Sequence, residues 1–111
     1  MEMMKFDHNS NDKVLTCFFT GKLDTIKSTE VADEVYGKIN ALKTDNDTDA
    51  LPGDRIVFDM SGVDYIASSF IRICVNASKL VQKGNFSLVN CDPFLKKTFK
   101  IAGLDSILNV K

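Results

Sequence analysis

The side chains of this chain that can do chemistry are few and scattered. The most suggestive are two adjacent serines, Ser68 and Ser69, which stand where a mixed stretch passes into an apolar-periodic one. A serine at a helix start has two uses. Its hydroxyl can accept a hydrogen bond from a free backbone amide, a cap contributing about 1 kcal/mol. It can also take a phosphate, because free amides and the helix dipole tolerate a new anion there. The added charge of about −2 then changes the surface shown to a partner. In that role the serine is an acceptor, and a kinase supplies the base and magnesium. The other reactive groups are Cys17, Cys74, Cys91 and a single histidine, His8. They are widely spaced, with no Cys-x-x-Cys pair, whereas a structural zinc site takes four such ligands. The cysteines read as reduced core thiols in a reducing compartment. Asp45, Asp47 and Asp49 alternate as calcium ligands do, but Ala50, Leu51 and Pro52 follow and no glutamate closes the loop. No metal and no cofactor is expected. No nucleophile–base pair and no Gly-x-Gly-x-x-Gly loop is present, so no catalytic residues and no enzyme activity are expected.

The elements that must position the serines follow from hydrophobic period. Lys13 to Thr20 is rich in β-branched and aromatic residues and reads as a strand. Met3 to Asp7 reads as a shorter strand before it, across a turn at His8 to Asp12. From Ser28 to Leu42, Val31, Val35, Ile39 and Leu42 recur at helical spacing. Asp24, Thr25 and Ser28 are all suitable caps for that helix. Thr44 to Asp54 is an acidic loop. Arg55 to Met60 reads as a strand buried on both faces, which Ser61-Gly62 turns. A second helix runs from about Ser69 to Lys83 with Gly84 as its cap. Phe86 to Val89 is a strand, Pro93 opens a short helix, and Ile107 to Val110 is a last strand or an irregular tail.

Strands alternating with helices imply an α/β fold: a mixed, mostly parallel sheet of four to five strands covered by three to four helices. The 111 residues fit one domain, 1–111. A net charge of −1 offers no footprint for nucleic acid. No stretch approaches the roughly 20 apolar residues of a membrane span, and Met1 to Ser10 does not read as a signal peptide. A soluble, cytoplasmic protein without direct membrane insertion is expected.

Five motifs now fall in order: Gly21-Lys22-Leu23-Asp24, Phe58-Asp59-Met60-Ser61-Gly62-Val63, Tyr65-Ile66-Ala67-Ser68-Ser69, Asp92-Pro93 and Ala102-Gly103-Leu104. Their order and the elements between them resemble the STAS family, in particular its anti-sigma factor antagonists, from about Lys13 to Val110. The resemblance implies a bacterial regulator of transcription that works by partner switching. Such a domain binds an anti-sigma factor that is also a serine kinase, and so frees the sigma factor. Phosphorylation of the first serine of the pair ends the binding, and a phosphatase resets it. The matching serine is Ser68, with Ser69 the alternative acceptor. Asp24, Ala67, Ser68, Ser69, Phe70 and Arg72 match the partner-binding surface, although Asp24 suits a helix cap equally, Phe70 the helix core and Arg72 an exposed face. The chain departs from the family pattern at Ala67, where aspartate is usual, and at Phe70-Ile71-Arg72, where Gly-Leu-Gly is usual. These departures suit a second reading, a STAS module that binds a fixed partner in a sensor or transport complex.

Overall fold

Alternating burial along one strand sets the architecture. In the computed structural model, which describes residues 4–9, 11–42, 55–82 and 84–111, Leu15, Cys17 and Phe19 are buried while Thr16 and Phe18 between them are not. They belong to β2 (Val14–Leu23), second of the four strands among the described residues. The others are β1 (Met4–Asn9), β3 (Arg55–Ile66) and β4 (Phe86–Val89). Three helices connect and follow them: α1 (Thr25–Leu42), α2 (Ser68–Ser78) and α3 (Pro93–Ile101). The sheet order is β1-β2-β3-β4. β1 is antiparallel to β2, and β2, β3 and β4 are parallel. This is the mixed, mostly parallel sheet that the sequence leads one to expect. No helix among the described residues is long and apolar enough to cross a membrane.

The β1–β2 hairpin is closed by Asn9, whose Oδ1 accepts the amides of Asn11 and Asp12 at 3.0 and 3.1 Å. The strand therefore runs on to Asn9, two residues into the stretch from His8 to Asp12 that the sequence reads as a turn. Val31, Val35 and Ile39 of α1, and Phe70, Ile73, Cys74 and Ala77 of α2, close one core with the sheet. At its centre the Phe19 ring meets Phe58 and Phe70 edge-on, with centroids 5.0 and 5.3 Å apart. Phe58 meets Phe86 in the same way at 4.9 Å.

Several boundaries differ from the sequence expectation. Ser61-Gly62 does not end β3. The strand continues to Ile66, and its register against β2 slips twice, between Phe18 and Thr20 and between Gly21 and Lys22. Asp59 makes its turn-like contact inside the strand: Oδ1 accepts the Ser61 amide at 3.0 Å and Oδ2 accepts Asn90 Nδ2 at 3.0 Å. Gly62 allows the close approach there, since a Cβ on it would lie 2.7 Å from Thr20 Cγ2. The second helix stops at Ser78, five residues before Lys83. The Ser78 hydroxyl donates to the Val75 carbonyl at 2.7 Å, an interaction that competes with the helix ladder. Gly84, at φ +90, serves the following turn and does not cap the helix. The tail is mostly turns; Val110 bridges Leu88 of the sheet, and Asn109 Nδ2 donates to the Phe86 carbonyl at 2.7 Å. Met3, the Leu42 side chain, Lys83 and the acidic loop over 44–54 lie outside what the structure describes.

Candidate functional site

The parallel strands β2 and β3 end together, and the Ala67 amide donates to the Leu23 carbonyl at 2.9 Å across their ends. Each strand is followed at once by a helix, so α1 and α2 start side by side beyond the carboxyl ends of the sheet. In open α/β sheets that is where binding sites form.

The two helix starts are built differently. Asp24 caps α1, its Oδ1 accepting the Lys27 amide at 2.9 Å, which decides among the three caps the sequence offers. Ser28 is buried and donates its hydroxyl to the Leu23 carbonyl at 3.4 Å. Helix α3 is capped in the same way as α1, by Asp92 on the Leu95 amide at 2.8 Å, with Pro93 at its first position. The residue in the capping position of α2 is Ala67, at φ −89 and ψ 164, with no side-chain oxygen to offer. The capping reading of Ser68 is therefore corrected. Ser68 is the first residue inside the helix, and its side chain is exposed.

The first-turn amides of a helix usually lack intrahelical acceptors; at α2 the Phe70 amide donates to the Ala67 carbonyl at 3.0 Å, and no side chain caps the helix. Ala67→Asp puts back the oxygen in a backbone geometry already right for it. It is expected to raise stability by about 1 kcal/mol in urea denaturation; an unchanged midpoint would mean that the α2 amides are already satisfied.

The remaining expected site residues divide. Arg72 is exposed and lies four residues after Ser68, on the same helical face. Ser69 is half-buried, and its hydroxyl is buried without a hydrogen-bond partner among the described residues. Phe70 does not belong to a partner surface: it is 0% exposed and packs in the phenylalanine cluster. Its place in the apolar stripe of α2 fits this burial. The same end of the sheet also carries side chains that sequence reasoning passed over. Ile26 is 76% exposed in the first turn of α1, and Tyr65 is 43% exposed at the end of β3. Lys22 and Asp64 pair at 3.3 Å beside them, both well exposed, so this pair shapes the rim and adds little stability. Ile26 was legible as an apolar residue between Thr25 and Lys27. Tyr65 was not, because the slip at Asp64 alters the inward–outward alternation.

Among the described residues no cluster of His, Cys, Asp or Glu is arranged to hold a metal. The site is an exposed rim of polar and apolar groups around one hydroxyl, an arrangement suited to contact with another protein.

A family model, the STAS domain, matches residues 5–111. No curated protein gives a significant match. Solved structures of the same fold include a protein of Thermotoga maritima assigned as an anti-sigma factor antagonist. It is 18% identical, the match covers 97% of this chain and 85% of that one, and the TM-score is 0.75. An anti-sigma factor antagonist from Mycobacterium paratuberculosis is 17% identical over 96% of this chain and 84% of its own, at a TM-score of 0.70. The Bacillus cell fate determinant SpoIIAA in its phosphorylated form is 12% identical over 97% and 90%, at 0.57. At these identities the likeness is one of fold.

Proposed function

The chain belongs to the STAS domain family, and from that premise we propose that it is an anti-sigma factor antagonist whose binding is switched by phosphorylation of Ser68. In this reading it binds an anti-sigma factor that is also a serine kinase, releases the sigma factor, and is reset by a phosphatase. It acts in the cytoplasm, by binding and not by catalysis. The observation that carries the reading is the position of Ser68. It is an exposed hydroxyl at the first residue of a helix whose amides no side chain caps, on a rim that also presents Asp24, Ile26 and Tyr65. A phosphate there meets open amides and the positive end of the helix dipole. Arg72, one turn on, can pair with it. The modified rim then presents about two more negative charges beside Asp24 and Asp64.

Ser68→Glu is expected to weaken binding to the partner captured from the native cells at least tenfold, about 1.4 kcal/mol, in a direct titration. Ser68→Ala should bind as the wild type does. Equal affinities for Ser68→Glu and wild type would favour the second reading, a STAS module on a fixed partner in a sensor or transport complex. Ala67 favours that reading, since it stands where an aspartate is usual and leaves α2 uncapped.

A further inference from the structure

The two edges of the sheet are unlike. Beyond β4 the chain end closes part of the edge: the Lys111 amide donates to the Leu88 carbonyl at 2.8 Å, and Val110 bridges Leu88. At the other edge β1 has no strand on its outer side among the described residues. All six of its residues pair with β2 in one unbroken register, from Met4 opposite Phe19 to Asn9 opposite Val14. It carries no proline and no bulge, two of the devices by which edge strands avoid further pairing. Lys5 and Asp7 flank Phe6 and are exposed, on the same face of the sheet as their neighbours Phe18 and Thr16. Among the described residues the ion pair is Lys22 with Asp64, and Lys5 and Asp7 have no ion-pair partner there.

We propose that β1 is a homodimer edge, pairing antiparallel with β1 of a second copy in the register that sets Phe6 opposite Phe6. The two-fold symmetry of such a contact fixes the rest: Lys5 stands opposite the partner's Asp7, and Asp7 opposite the partner's Lys5. Directly opposed residues lie about 5 Å apart at Cβ, and opposite charges there are favourable. The neighbouring symmetric registers that keep both sheets facing the same way are two residues off. One sets Lys5 against Lys5 and the other Asp7 against Asp7, both like-charge pairs. The charge pattern thus selects one register. The two Phe6 rings meet on the helix side of the sheet, where Lys38 Nζ already lies 5.8 Å from the ring centroid. An edge of six residues buries less than the roughly 1,600 Å² of a standard interface, so the dimer is of the weak, transient class. β2 stands between this edge and the strand that leads to Ser68, and the proposal does not depend on the switch.

Sedimentation equilibrium of the full chain from about 10 μM to about 1 mM tests it. The average mass is expected to rise toward that of two chains. Lys5→Asp and Asp7→Lys should each weaken association at least tenfold, because each opposes like charges twice. The double variant, Lys5→Asp with Asp7→Lys, restores opposite pairs and should associate as the wild type does. A wild-type chain that stays monomeric at the highest concentration overturns the proposal. So do single variants that associate unchanged, or a double variant that stays monomeric while circular dichroism shows the native fold.

Discussion

Phe70→Ala is expected to destabilise the domain by about 3–5 kcal/mol. The side chain is fully buried and stands 5.3 Å from the Phe19 ring and 6.1 Å from the Phe58 ring, centroid to centroid. Phe19 belongs to β2, Phe58 to β3 and Phe70 to the first turn of α2, so one cluster joins the two central strands to the helix that carries Ser68. Truncation removes a large apolar area and leaves a cavity that three different elements would have to collapse into. Small domains are stable by about 5–15 kcal/mol in all, so the loss is a large part of the whole. Urea denaturation checks it: the midpoint should fall while the slope holds. Phe70→Leu, which keeps most of the volume, should lose much less. A loss under about 1 kcal/mol for Phe70→Ala would mean that α2 is not anchored through this ring.

The second large effect is alkaline. Burial pushes the Cys17 thiol from 9.0 up to about 12, with Lys38 opposing the rise weakly. Burial also pushes Cys91 up to about 11, against the pull of Lys96. It drives Cys74 well above its ordinary value, and the neighbouring Cys91 adds to the rise. The sign follows directly. The unfolded chain begins to lose thiol protons near pH 9 while the folded chain keeps them, so the folded state is the disfavoured one as pH rises. The contribution is whole below pH 9 and is lost between 9 and each folded value. Each thiol removes up to about 1.4 kcal/mol per pH unit in that window, so Cys17 alone removes about 2 kcal/mol between pH 9 and 11. Urea midpoints measured at pH 8, 9, 10 and 11 should fall with a slope that Cys17→Ala visibly flattens. A slope unchanged by that substitution would mean that Cys17 is ionised as readily in the folded chain as in the unfolded one.

Much of this molecule was legible in its sequence, for physical reasons that can be named. The stripe of Val31, Val35 and Ile39 reports a period of 3.6 and is buried as read, and the β-branched and aromatic run from Lys13 to Thr20 lies in β2 as its composition implies. Pro93 and the Asp92 before it mark the start of α3 as a cap and first-position pair should. What was hidden depends on contacts distant in sequence. The extension of β3 past Gly62 needs β2 alongside it, with Thr20 close enough that no side chain fits. The early end of α2 depends on a serine bonding back to its own helix. At the candidate site, the nearness of Asp24 to α2 needs the hydrogen bond from Ala67 to Leu23. Phe70 misleads as a surface residue because its match to a motif position says nothing about which way the helix faces. The uncapped start of α2 was visible in the identity of Ala67, but only the boundary at Ser68 gives it meaning.

The central claim is that Ser68 decides whether a partner stays bound. The most direct measurement takes the protein from its native cells in growing and in stressed cultures. It separates the partner-bound pool from the free pool and maps phosphate in each by mass spectrometry. The account predicts phosphate on Ser68 whose level changes with condition, present in the free pool and absent from the complex with a kinase-like anti-sigma factor. Phosphate absent from Ser68 in every culture, or equally abundant in the bound and free pools, would contradict it.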